Sequence, residues 1–176
     1  MASDGTISLN TSIMNLTRPP GNESNYDLQA VVMHEIDEVL GIGSALNNLA
    51  QGAPAPTGAV WGMDLYRYVT GSATRSFNTT LATASSFSIN GGVTDLVGFN
   101  QQAGGDFSDW LSVGGSPKVQ DAFGTPGSVP AFGVELTALD VLGYNLASPV
   151  PEPSTFVLMS MTLLGLAGIR RRRSRI

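Results

Sequence analysis

No cysteine occurs among the 176 residues, so no disulfide framework can form and no thiolate can hold a metal. Histidine occurs once, as His34. Imidazole chemistry, whether acid–base or metal-ligating, is therefore confined to one position. Charge is sparse too, with Asp, Glu, Lys and Arg making up 13% of the chain. Residues 1–150 hold four basic residues against thirteen acidic ones, and the other five arginines sit at 170–173 and 175. A nucleic-acid binder needs a basic face against phosphate, and that distribution excludes one. The first residues, MASDGTISLN, have neither the basic stretch nor the apolar run that opens a signal peptide, so the expectation is either a truncated gene start or an internal Met1.

What is present is 42% hydrophobic residues, enough for a core, with 21 glycines and 10 prolines that call for many turns. The stretch 26–44, YDLQAVVMHEIDEVLGIGS, holds the single histidine and the densest group of carboxylates. Leu28, Val31, Val32, Ile36, Val39 and Leu40 recur at helical spacing. Ser24 or Asn25 is expected to cap the start, and Gly41 with Gly43 to stop the helix. On such a helix His34 and Glu38 share a face, with Glu35 beside them. Glu35, Asp37 and Glu38 crowd negative charge into its C-terminal half, where the helix dipole already disfavours anions. A cation between His34 and Glu38 would relieve that arrangement. The competing reading is an amphipathic helix whose His34 and acids are solvated or hydrogen-bonded locally.

His34, Glu35, Glu38, Gly41 and Ser44 fall at the spacing of the metzincin motif H-E-x-x-H-x-x-G-x-x-H, so HEIDEVLGIGS resembles HELGHxLGLGH with two histidines exchanged. It is also similar to the H-E-I-x-E variant found in metalloproteases among bacterial surface proteins. The resemblance implies an α+β, zincin-like single domain over 1–147, with an active-site helix and mixed strands. It implies a zinc ion held by His34 and Glu38, Glu35 as the general base toward water, and a peptide substrate. Ser44 stands where the third histidine belongs, and serine is a poor zinc ligand. The third ligand is therefore sought elsewhere, with Asp64 in MDLYRYV as the candidate, against its plainer reading as a cap or turn carboxylate. No methionine lies between Met63 and Met159, so the Met-turn of metzincins is altered or lost.

Elsewhere, 4–17 alternates apolar and polar residues up to Arg18-Pro19-Pro20-Gly21 and predicts one or two strands. Residues 87–99 predict a hairpin turning at Asn90-Gly91-Gly92. In GGDFSDW, Asp106 and Asp109 stand three apart among glycines, as a cation loop could, but without the further oxygens of a calcium site. The bland reading is a turn packed by Trp110. Residues 133–144 predict a short closing helix.

From Ser148 the composition changes. Prolines at 149, 151 and 153 make an extended linker, an apolar run covers 154–169, and Arg170, Arg171, Arg172 and Arg173 follow. At ~1.5 Å per residue the run reaches ~24 Å, short of a ~30 Å hydrocarbon core but extendable by snorkelling arginines. With Pro151, Glu152 and Pro153 ahead of a transmembrane helix and an arginine tail, 148–176 resembles a PEP-CTERM sorting signal. That implies exosortase as partner and a membrane-anchored precursor with a cytoplasmic C-terminus. The mature domain would then lie at the cell envelope or outside it. Two functions compete for that domain: a zinc metallopeptidase, and an inactive zincin-like module of an exopolysaccharide matrix or adhesive surface.

Overall fold

The computed structural model describes residues 5–47 and 60–145. The chain divides into two compact units, Met1–Asn145 and Leu146–Ile176. The second unit, with the linker, the apolar run and the arginines, lies outside the described residues.

The first unit is α+β, and of the one or two strands expected in 4–17 a single short one forms. Residues 5–10 are irregular, a single 3-10 turn covers Thr11–Ile13, and β1, Met14–Asn15, is two residues long. It pairs in parallel with β2, Tyr26–Asp27, so the short sheet ties the N-terminal segment to the entry of the main helix. That helix, α1, is Leu28–Leu40. Its cap is Asp27 rather than Ser24 or Asn25, because pairing with β1 keeps Tyr26 and Asp27 extended. The Asp27 carboxylate accepts from the Ala30 amide at 2.7 Å and from the Arg18 guanidinium at 2.6 and 2.7 Å. Gly41 ends the helix at φ 114°, a conformation that favours glycine. The Gly41 and Ile42 amides turn back to the carbonyls of Glu38 and Asp37 at 3.0 and 2.9 Å, which drives Ile42 into the core.

A 3-10 helix, Gly62–Tyr66, leads into β3, Arg67–Val69. β3 pairs antiparallel with β4, Ser85–Phe87, and β4 with β5, Val97–Gly98. Phe87 faces Val97, so the predicted hairpin forms, with Gly91 and Gly92 at φ 76° and 80° in its turn. The closing helix, α2, is Val134–Val141.

Ile42, Met63, Phe87, Phe99, Trp110 and Ala138 form the core. Trp110 is fully buried, with its ring centroid 5.6 Å from Phe87 and 5.5 Å from Phe99. Each such aromatic pair contributes about 1 kcal/mol beyond its buried area. Trp110 Nε1 donates to Glu135 Oε1 of α2 at 3.0 Å. One side chain thereby locks the segment bearing Asp106 and Asp109 between the hairpin and α2. Among the described residues no helix is long and apolar enough to cross a membrane.

Candidate metal centre

His34 Nε2 and Glu38 Oε1 lie 3.4 Å apart, one turn from each other on α1. Sequence spacing alone brings these two together. The third group arrives from the far end of the unit, because Trp110 anchors its neighbour Asp109 with the carboxylate toward α1. Asp109 Oδ2 is 3.9 Å from His34 Nε2. One ligand atom from each of His34, Glu38 and Asp109 falls within 4.8 Å of the others.

The imidazole is fixed from behind. His34 Nδ1 stands 3.0 Å from the Val119 carbonyl, which makes Nδ1 the donor and aims Nε2 at the carboxylates. Metal-ligating histidines are held by this kind of outer contact. Gln120, the next residue, is fully buried; its Nε2 donates to Asp109 Oδ1 at 3.0 Å and stands 3.4 Å from His34 Nε2.

The electrostatics are those of an acidic pocket with one internal cation. Burial lowers the pKa of His34, but the hydrogen bond its ring donates to Glu38, the charge of Asp109 and the Val119 carbonyl outweigh it and bring the group to about 9. Asp109 is pushed up to about 7 by burial, reinforced by the charges of Glu38 and Asp106 and opposed by His34 and Gln120. Asp106 is raised by burial and by Glu38. Beneath them Asp37 is pushed up to about 6 by burial and the Glu135 charge. Among the described residues no Lys or Arg forms an ion pair with Glu38, Asp106 or Asp109. A divalent cation would take over the charge balance that protonated His34 otherwise supplies. One imidazole nitrogen and two carboxylate oxygens are donors that zinc accepts.

Asp64 is not part of this cluster. Its carboxylate is 2% exposed and accepts from Ser44 Oγ, the Ala45 amide and the Trp61 amide. That is the work of a buried turn carboxylate, the plainer of the two readings its sequence context offers. Glu35 points elsewhere, into a groove of ≈ 390 Å³ that His34 also lines together with Tyr26, Lys118 and Phe123. Glu38 and Asp109 are not among the walls of that groove. Asp109 was visible in sequence as an acid in a glycine-rich turn, but nothing there tied it to His34. Gln120 carried no signal at all.

Neither the curated proteins nor the solved structures include a match to this chain. No comparison supports a metzincin-like peptidase domain, and the architecture supports α+β without a finer assignment. The tail is another matter: residues 149–173 match the PEP-CTERM protein-sorting motif. Proline-rich lead, apolar run and arginines fall inside or at the margins of that match, and it supports an exported surface protein sorted by exosortase.

Proposed function

We propose that this is an exosortase-sorted surface protein whose folded unit is built around a zinc centre held by His34, Glu38 and Asp109, with the ion serving structure. The observation that supports the centre best is Asp109, a carboxylate 3% exposed and set against His34 and Glu38 without an arginine or lysine partner. Isolated buried carboxylates are costly, and a divalent cation offsets that cost. The arginines at 170–173 orient the precursor with its C-terminus cytoplasmic, and exosortase processing delivers the acidic unit to the envelope or beyond it. An exopolysaccharide matrix is a fitting destination for a domain of this charge.

The test is zinc content of the full chain, purified in mild detergent. One zinc per chain is expected in the wild type, with loss in His34→Ala and Asp109→Asn. Equal zinc in His34→Ala overturns the reading.

A second reading, zinc-dependent peptide hydrolysis, is favoured by one observation: the groove that His34 and Glu35 line together. When bound to His34, zinc would supply Lewis acidity at the edge of that groove, and Glu35 would take the proton from water. Peptide hydrolysis by the zinc-loaded chain that Glu35→Gln abolishes, with zinc retained, would install this reading in place of the first.

A further inference from the structure

Gln120 is 0% exposed, and its side-chain oxygen Oε1 is buried without a hydrogen-bond partner. Its other end, Nε2, occupies the gap beside the cluster, 3.0 Å from Asp109 Oδ1 and 3.4 Å from His34 Nε2. A buried amide with an idle acceptor is uncommon, because leaving such a group unmade is expensive. The two ends of a side-chain amide are nearly identical in shape, so half a turn of the terminal torsion exchanges them in place.

We propose that Gln120 is the fourth protein ligand of the zinc centre, binding through Oε1 after that half-turn; the inference rests on the His34, Glu38 and Asp109 reading. Distances support it. Atoms bound tetrahedrally to one zinc at ~2.0–2.2 Å stand ~3.3–3.6 Å from one another. His34 Nε2 to Glu38 Oε1 is 3.4 Å, to the Gln120 amide position 3.4 Å and to Asp109 Oδ2 3.9 Å. The exchange leaves one amide end without a partner, as now, and gives up the bond to Asp109 Oδ1, whose charge the cation then balances. With no cation between them, Gln120 Oε1 and Asp109 Oδ1 would repel at 3.0 Å, so the amide keeps its nitrogen there until the metal enters. Four protein ligands close the coordination shell, which is the hallmark of a structural site and not of a catalytic one.

The experiment is zinc affinity, with the visible spectrum of the cobalt(II)-substituted full chain as a readout of coordination number, for wild type, Gln120→Ala, Gln120→Glu and His34→Ala. The wild-type cobalt form is expected to give the intense bands of a four-coordinate ion. Gln120→Ala is expected to bind at least ~10-fold more weakly, with bands weakened as water enters. Gln120→Glu decides between ligation and mere support. A carboxylate oxygen can ligate but cannot donate to Asp109, so the variant keeps wild-type affinity if Gln120 is a ligand and loses it if Gln120 only steadies Asp109. Loss in Gln120→Glu, or wild-type affinity and spectrum in Gln120→Ala, overturns the proposal. Undiminished zinc binding in His34→Ala would instead remove the centre itself.

Discussion

Ser44 Oγ donates to Asp64 Oδ1 across 2.5 Å, and both residues are buried, at 1% and 2% exposure. The serine that stands at the register of a third metal ligand is thus joined to the carboxylate that the sequence offers in its place. Asp64→Ala would strip acceptors from Ser44, Ala45 and Trp61 together. A destabilisation on the order of 3 kcal/mol is expected, since bonds to a buried charge contribute more than neutral ones. Zinc stoichiometry should be unchanged below the unfolding transition. Denaturant unfolding paired with metal analysis checks both, and zinc lost from a folded Asp64→Ala chain would return Asp64 to the ligand set.

The proton balance of the cluster gives a pH prediction. His34 rises from 6.5 to about 9 and Asp109 from 3.8 to about 7, so the metal-free fold holds protons more tightly than the unfolded chain does. The His34 contribution is complete below 6.5 and disappears as pH rises through about 9, while that of Asp109 is complete below 3.8 and gone above about 7. Metal-free stability from these groups therefore falls with rising pH. Zinc must displace those protons, so its stabilisation grows over the same interval. Melting temperatures with zinc and with chelator should diverge as pH increases; a zinc-induced shift independent of pH would contradict the site.

Gly92 offers a test of the hairpin. It sits at φ 80°, and a Cβ there would come within 2.2 Å of the Ser72 carbonyl oxygen and 2.9 Å of the Ala73 Cα. Both obstacles are backbone, so no side chain can swing aside. Gly92→Ala is expected to cost about 2 kcal/mol or more, and urea unfolding measures it. Gly91→Ala, at φ 76° with open space around it, should cost less.

Local signals carried well into the structure. Apolar periodicity and Gly41 located α1, the paired glycines located the hairpin, and the i, i+4 spacing put His34 opposite Glu38. Signals failed where partners are distant in the chain. Residues 4–17 alternate like a strand, yet among the described residues the strand found there is Met14–Asn15, opposite Tyr26 and Asp27. That pairing also moved the helix cap to Asp27. The approach of Asp109 to His34 was hidden for the same reason. Asp109 reaches His34 because Trp110 is buried against Phe87, Phe99 and Glu135, a tertiary contact with no local trace.

The tail prediction rests on sequence features in a fixed order, matched by the sorting motif over 149–173. Pro151 and Pro153 fix φ and have no amide hydrogen to continue a helix, so the sequence favours an extended lead. On the proposed reading the apolar run 154–169 would enter the bilayer, and the arginines that follow would resist translocation. On that reading the extended lead would be accessible to a processing enzyme, and a cut there would separate the acidic unit from the apolar run. In a host that contains exosortase, the surface-located product should lack 156–176 while the precursor in the inner membrane retains it. Replacing the four arginines at 170–173 with serine should weaken the orientation and lower the yield of processed product. Intact-mass measurement of the surface fraction decides the matter, because an arginine tail still attached there would make the segment a permanent anchor.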